Sequence, residues 1–248
     1  MSTPDREIKT VMHQLKQRTL TVKKIEELNS RMRRITFTGS ELKDFVSLSP
    51  DDHIKVFLPS SGEDKPIMRD YTPRRYDNNA LELDIEFVLH GEGPGSSWAS
   101  QAQVGAELTI GGPRGSRVVP YSFDWYLMIG DETALPSIGR RLFELPAHSK
   151  AIVIVEVEDE THRVQLPLSE NVQVQWLYRH GRKPGSAEQF KNEILKTGFP
   201  VGDYFVWIAT EKSVAMQLRD LLVTVRGANE QWVKATGYWN ASKDDHHG

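Results

Sequence analysis

The hydrophobic pattern of this chain changes near Tyr121, and the two halves require different folds. Before that point apolar residues fall in short β-rich runs at 20–25, 32–37, 54–58, 81–89 and 107–110. Turn and breaker residues such as Asn29-Ser30 and Pro59 separate them. Leu81-Glu82-Leu83-Asp84-Ile85 alternates apolar and charged residues, as a strand with one buried face does. Residues 40–45 read as a capped helical turn, 59–66 as a polar loop, 96–103 as a helix, and the segment up to Lys16 as a weak helix or loose arm. Many short strands with turn signals between them predict a small antiparallel barrel. After Tyr121, strand-like runs at 126–130, 151–155, 172–178, 204–209 and 232–238 alternate with helical spacing at 135–145, 187–196 and 213–225. Ala151-Ile152-Val153-Ile154-Val155 is apolar throughout, as a parallel strand buried on both faces must be. The expected fold class is therefore β plus α/β, an antiparallel barrel at 1–122, with 1–17 as an arm, followed by a three-layer α/β domain at 123–248.

A length of 248 residues suits one large domain or two ordinary ones. The net charge of −3 supplies no global basic field for nucleic acid. The absence of cysteine excludes disulfides, thiolate metal sites, iron–sulfur clusters and cysteine nucleophiles, so redox chemistry would need a bound cofactor. No apolar run is long enough for a membrane span, and the polar N-terminus lacks an apolar signal core, so the expected location is the cytoplasm. His246 and His247 read as part of a polar tail, and His162 and His180 have no ligand-spaced partner, so no metal site is expected. A monomer is the default.

The stretch Arg69-Asp70-Tyr71-Thr72-Pro73-Arg74 combines a planar guanidinium for phosphate, a flat ring for stacking and a hydroxyl for a ring nitrogen or carbonyl. An aromatic heterocycle bearing a pyrophosphate would use all three, although an ordinary strand with Arg and Tyr on its surface has the same letters. His90-Gly91-Glu92-Gly93-Pro94-Gly95-Ser96-Ser97-Trp98 follows the 81–89 strand; its glycines permit close backbone approach, and its serines open a helix whose free N–H groups suit a pyrophosphate, although taken alone the segment reads equally as a flexible loop with a Ser N-cap. The spacing is not that of a Rossmann fingerprint. Gly111-Gly112-Pro113-Arg114-Gly115-Ser116 is a second tight turn with one arginine, with a plain hairpin turn as the alternative reading. Gly130-Asp131-Glu132-Thr133-Ala134-Leu135-Pro136 follows the first strand of the α/β half, where an open α/β sheet receives ligands, and Trp207-Ile208-Ala209-Thr210-Glu211 ends a later strand in the same manner.

Taken in order, and with Leu89-His90-Gly91 and Gly237-Tyr238-Trp239, these motifs resemble the siderophore-interacting proteins, flavin-dependent ferric-siderophore reductases of the ferredoxin–NADP reductase superfamily. The resemblance spans about Arg18 to Trp239. It implies a six-stranded flavin-binding barrel, FAD as cofactor and an NAD(P)H-binding-type α/β domain. It further implies that Arg69 holds the pyrophosphate, Tyr71 stacks on the isoalloxazine and Thr72 bonds near its N5 and O4, with Asp70 in the same motif. His90, Gly95, Ser96, Ser97 and Trp98 would line the phosphates and adenine, Asp131, Glu132, Thr133 and Ala134 would lie near flavin or adenine, and Tyr238 and Trp239 would lie by the open flavin face. Thr210 stands where many relatives carry Gly, and its side chain would crowd a pyridine nucleotide.

One electron weakens the grip of hard oxygen donors on Fe(III), so a reductase need only bring the chelate to the flavin edge. Many chelates are anionic, and Lys55, Arg114 and Lys234 are the candidate cations for them, against the alternative of solvated surface charges. Acids at Glu156, Glu158 and Asp159 favour a ribose 2′-hydroxyl, which points to NADH rather than NADPH. Against that, Arg179-His180-Gly181-Arg182-Lys183 could take a phosphate, dock an acidic reduced ferredoxin as alternative donor, or be a solvated loop. The expected function is FAD-dependent ferric-siderophore reduction; the alternatives are a flavin-bearing siderophore carrier without turnover and a general ferredoxin or flavin reductase.

Overall fold

The structure is a computed structural model that describes residues 5–59, 66–91 and 93–241. The expected polar tail with His246 and His247 lies outside those residues, as do Glu92 and most of the 59–66 loop. The chain divides into two compact units, one of Glu7–Val119 with Gly139–Glu144, the other of Met1–Arg6, Pro120–Ile138 and Leu145–Gly248.

The first unit holds strands β1 (Lys9–Met12), β2 (Gln17–Asn29), β3 (Met32–Thr38), β4 (Ile54–Leu58), β5 (Ile67–Tyr71), β6 (Pro73–Asp77), β7 (Glu82–Val88), β8 (Glu107–Gly111) and β9 (Gly115–Val118), with helix α1 (Pro94–Gln101) after β7. Seven of these strands form one antiparallel sheet in the order β5-β4-β8-β2-β3-β7-β6. The expected count was six. The extra strand arises because β5 and β6 are one run of chain interrupted at Thr72, and they form the two opposite edges of the sheet. The chain thus joins the edges covalently, and the sheet has to curl. Bulges in β2 near Val22 and Glu27 assist the bend. Closure is visible across the curl, where the Tyr71 ring on β5 lies 4.5 Å from the Phe87 ring on β7.

Inward residues follow the period of two: Leu83, Ile85 and Phe87 on β7 meet Ile35 and Phe37 on β3 and Val56 on β4. Between them on β7, Asp84 and Glu86 are also buried, and are satisfied by Arg75 at 2.8 Å, Thr36 at 2.8 Å and Arg34 at 2.5 Å.

Three local expectations are corrected. The N-terminal segment is neither helix nor loose arm, since β1 pairs antiparallel with β9. The 111–116 turn is not a hairpin: β8 pairs with β2 and β4, while β9 pairs with β1. The turn at Ser40–Asp44 is a 3-10 helix preceded by Gly39, with no side-chain cap among the described residues, its first bond running from Leu42 N–H to the Gly39 carbonyl.

The second unit carries a five-stranded parallel sheet in the order β12-β11-β10-β13-β14, made of β10 (Trp125–Gly130), β11 (Lys150–Val157), β12 (Val172–Tyr178), β13 (Tyr204–Glu211) and β14 (Val233–Trp239). Helices α3 (Glu188–Lys196) and α4 (Lys212–Thr224) cover one face, where Phe190, Ile194, Val214 and Leu218 pack on Leu127, Ile129, Ile152 and Ile208. Helix α2 (Leu135–Glu144) begins on the other face, with Ile138 against Gly130. The strand order reverses between β10 and β13, which places the crevice of a doubly wound sheet at Gly130-Asp131 and Ala209-Thr210. Among the described residues no helix is long and apolar enough to cross a membrane.

Phe87 is fully buried and supports both Tyr71 and Trp98. Phe87→Ala should therefore cost about 3–5 kcal/mol in urea denaturation. A loss below about 1 kcal/mol would show that the barrel does not close through this ring.

Candidate functional site

The closure of the barrel positions one group of candidate residues. Alternation along β5 sends Arg69 and Tyr71 to one side and Asp70 to the other. Arg69 is exposed; it donates Nη1–H to its neighbour's carbonyl at 3.0 Å, and among the described residues no carboxylate pairs with it. Burial pushes the Tyr71 phenol up to about 12, so the ring stays neutral with its hydroxyl over α1. A Cβ on Gly95 would fall 1.9 Å from that hydroxyl, so only glycine lets helix and ring approach this closely. Thr72 is buried at the point where β5 gives way to β6.

Helix α1 begins earlier than the sequence pattern indicates, with Gly93 at its N-cap, so Ser96 and Ser97 lie inside its first turn. Among the described residues no side chain caps its N-terminus; Pro94 has no N–H, and Ser97 N–H bonds to the Gly93 carbonyl. The N–H groups of Gly95 and Ser96 are the remaining first-turn donors. At the other end Arg33 donates to the carbonyls of Ala99 at 2.5 Å and Ser100 at 3.0 Å, a C-terminal anchor that the sequence pattern does not announce. Ser96 turns its hydroxyl to the Gly91 carbonyl, 3.2 Å away, and His90 is exposed beside Gly93. Trp98 is half-buried and packs on Phe37 and Phe87.

Arg69, Tyr71, Gly95 and the first turn of α1 fit FAD: a fork and two N–H donors for a pyrophosphate, and an aromatic face for a ring. The remaining barrel residue of the motif behaves differently. Asp70 pairs across the strands with Lys55, 2.7 Å away, both about half exposed at 49% and 48%. Lys55 also lies opposite Gly111, at the end of β8 from which the Arg114 turn departs.

The α/β unit brings a second group together. Asp131 is buried, and burial raises its carboxyl above the usual range against the hydrogen bonds it accepts. Those come from Thr133 N–H at 2.9 Å, the Thr133 hydroxyl at 2.5 Å and the Trp239 indole at 2.8 Å. Tyr238 shares a hydrogen bond with Ser137 at 3.0 Å and stands edge-on to Trp207, whose buried indole nitrogen has no hydrogen-bond partner among the described residues. Ala134 packs on Gly130. Thr210 belongs to β13 rather than to a turn and is buried, its hydroxyl 3.0 Å from the Glu211 carbonyl; Glu211 caps α4. Lys234 is half-buried on β14, opposite Trp207.

Glu132 does not join this group. It takes Arg179 in a two-oxygen pair at 2.9 Å, and Arg179, 4% exposed, also reaches Glu156 at 3.4 Å and Glu158 at 3.3 Å. Glu158 further accepts Gly181 N–H at 2.6 Å, and Asp159 caps Thr161 at 2.8 Å. The acids that pointed to a ribose are thus engaged internally, and Arg179 is buried among carboxylates instead of presenting itself to a phosphate. The sequence pattern gave Arg179 no hint of burial, because its strand-end context reads as a polar loop.

With this geometry in place, comparison with known proteins identifies the family. The family model described as siderophore-interacting FAD-binding domain matches residues 21–66 and 60–117, and the one described as siderophore-interacting protein matches 123–242. An Escherichia coli protein named NADPH-dependent ferric-chelate reductase is 33% identical over 93% of this chain and 96% of its own length. Ferric vibriobactin reductase ViuB of Vibrio cholerae is 30% identical over 88% of this chain and 87% of its own. The crystal structure of a siderophore utilization protein from T. fusca superposes with a TM-score of 0.88 at 34% identity, covering 95% of this chain and 97% of that one. The chain belongs to the siderophore-interacting protein family, whose first domain binds FAD.

Burial pushes the Glu156 carboxyl up to about 7, opposed by Arg179. A carboxyl raised in the folded state contributes stability that is fully present below its unfolded pKa and is lost as pH rises through the folded value. Unfolding free energy should therefore decline between about pH 4.5 and 7.5, and Glu156→Gln should flatten that slope. An unchanged slope in the variant would show that Glu156 titrates normally.

Proposed function

We propose that this chain is a FAD-dependent reductase that converts chelated Fe(III) to Fe(II) and so releases iron from ferric siderophores in the cytoplasm. The observation that carries the reading is the barrel cradle of Arg69, Tyr71 and Gly95 at the point where the sheet closes, in a chain of this family. Bound FAD supplies the chemistry: it accepts a hydride and delivers electrons singly. The chain's own residues bind and orient. Arg69 and the Gly95 and Ser96 N–H groups hold the pyrophosphate, the Tyr71 ring packs on the flavin, and Thr72 offers a hydroxyl near it. Asp131 holds Trp239, and Ser137 holds Tyr238, at the nucleotide end of the α/β domain. No protein ligand to iron is required, and among the described residues no group of His, Asp and Glu could hold a metal. Lys55, Arg114 and Lys234 attract the anionic chelate.

The electron donor in this reading is a reduced pyridine nucleotide. The acids that favoured NADH are bound up with Arg179, Gly181 and Thr161, so both nucleotides enter the test, NADPH first because the Escherichia coli relative is named for it. The buried Thr210 crowds the switch point, and reduced ferredoxin is the donor that slow reduction by both nucleotides would indicate.

Steady-state Fe(II) trapping with ferric chelates and with free flavin as acceptors tests the proposal. It predicts turnover on the chelates in preference to free flavin. Stoichiometric binding without turnover would mean a carrier, and preference for free flavin a general reductase. Lys55→Ala should raise KM for anionic chelates about three- to tenfold while leaving FAD affinity within about twofold. Equal loss of both would remove Lys55 from the substrate site.

A further inference from the structure

The N-terminal segment lies along the turn that carries Arg114. Strand β1 pairs Met12 with Gly115 and Val11 with Ser116. A Cβ on Gly115 would stand 2.9 Å from the Val11 carbonyl oxygen, so turn and strand are in direct contact. Gly112 N–H donates to the Lys16 carbonyl at 3.0 Å, and His13 N–H donates to the Arg114 carbonyl at 3.0 Å. The turn is therefore bracketed on both sides of Arg114.

The ring of His13 adds a third tie. Its Nε2 lies 2.7 Å from Ser116 Oγ. Ser116 donates its single hydroxyl proton to Asp52 Oδ2 at 2.5 Å and accepts Leu48 N–H at 3.0 Å. With that proton committed, His13 Nε2 is the donor of the remaining bond. Asp52 is 4% exposed and also accepts the Ser47 hydroxyl at 2.8 Å and Ser49 N–H at 3.1 Å. It precedes Lys55 by three residues, and Lys55 pairs in register with Gly111. One buried carboxylate thus anchors the approach to both candidate cations, and His13 completes the chain to Arg114.

We infer that His13 is a positioning residue for substrate. Its Nε2–H bond to Ser116 and its N–H bond to the Arg114 carbonyl hold the 112–116 turn so that the Arg114 guanidinium stays in place at the Lys55 end of the barrel. The ligand it serves is an anionic ferric chelate, and this rests on the reading of Arg114 as a substrate cation given above.

The test uses the full FAD-loaded chain with an anionic ferric tris-catecholate and a neutral ferric trihydroxamate. His13→Leu removes the ring donor, whereas His13→Gln places an amide N–H near the same point. His13→Leu should raise KM for the anionic chelate about fivefold, with kcat, FAD content and KM for the neutral chelate unchanged. His13→Gln should return KM to within about twofold of the parent. Arg114→Ala is the reference. If it raises KM for the anionic chelate while His13→Leu does not, the inference is overturned and the substrate reading stands. If His13→Leu lowers kcat and FAD content alike with both chelates, His13 serves folding and the inference is overturned. If Arg114→Ala leaves KM unchanged, the substrate reading beneath it fails and the inference fails with it.

Discussion

In the barrel, β5 and β6 are the two edges of one sheet and yet are consecutive in the chain, with only Thr72 between them. A sheet whose edges are joined by one residue must curl until they meet, and whatever flanks that residue is held at the seam. Pro73 opens β6 directly after the junction, where its missing N–H leaves no ladder bond unmade. Tyr71 is carried inward onto Phe87, Phe87 onto Trp98, and Gly95 under the Tyr71 hydroxyl. The seam that completes the barrel also orients the fork of Arg69 and the first turn of α1.

The α/β unit solves a different problem. Its sheet ends in a crowd of acids at 131, 132, 156 and 158, where repulsion and desolvation would be costly. One buried arginine, Arg179, is shared among three of them, and the fourth, Asp131, is satisfied by Thr133 and Trp239. The acids thereby become scaffolding. Asp131 orients an indole, and Glu132 ties the start of α2 to the ends of β11 and β12.

How much of this was legible in the sequence follows from the range of each interaction. Period-two alternation at 81–89 and the unbroken apolar run at 151–155 are local, and both strands form as expected. The family motifs lie in continuous stretches, so the resemblance could be read directly. The β1–β9 pairing was not legible, because it joins residues about a hundred positions apart and the polar segment has no periodic signature. The fate of Glu132, Glu156 and Arg179 was hidden for the same reason: burial of a charge depends on partners from three separate strand ends. The packing of Trp98 on Phe37 and Phe87 was hidden likewise, because those rings come from distant strands.

The most direct test of the central claim is anaerobic stopped-flow spectroscopy of the purified protein. FAD-loaded protein is reduced with one equivalent of dithionite, mixed with a ferric siderophore, and followed in the flavin absorption band. The account predicts a protein that binds FAD stoichiometrically and whose flavin band returns rapidly on mixing, with Fe(II) appearing in step. A protein that cannot be loaded with FAD, or a reduced flavin that the ferric siderophore leaves untouched, would contradict it.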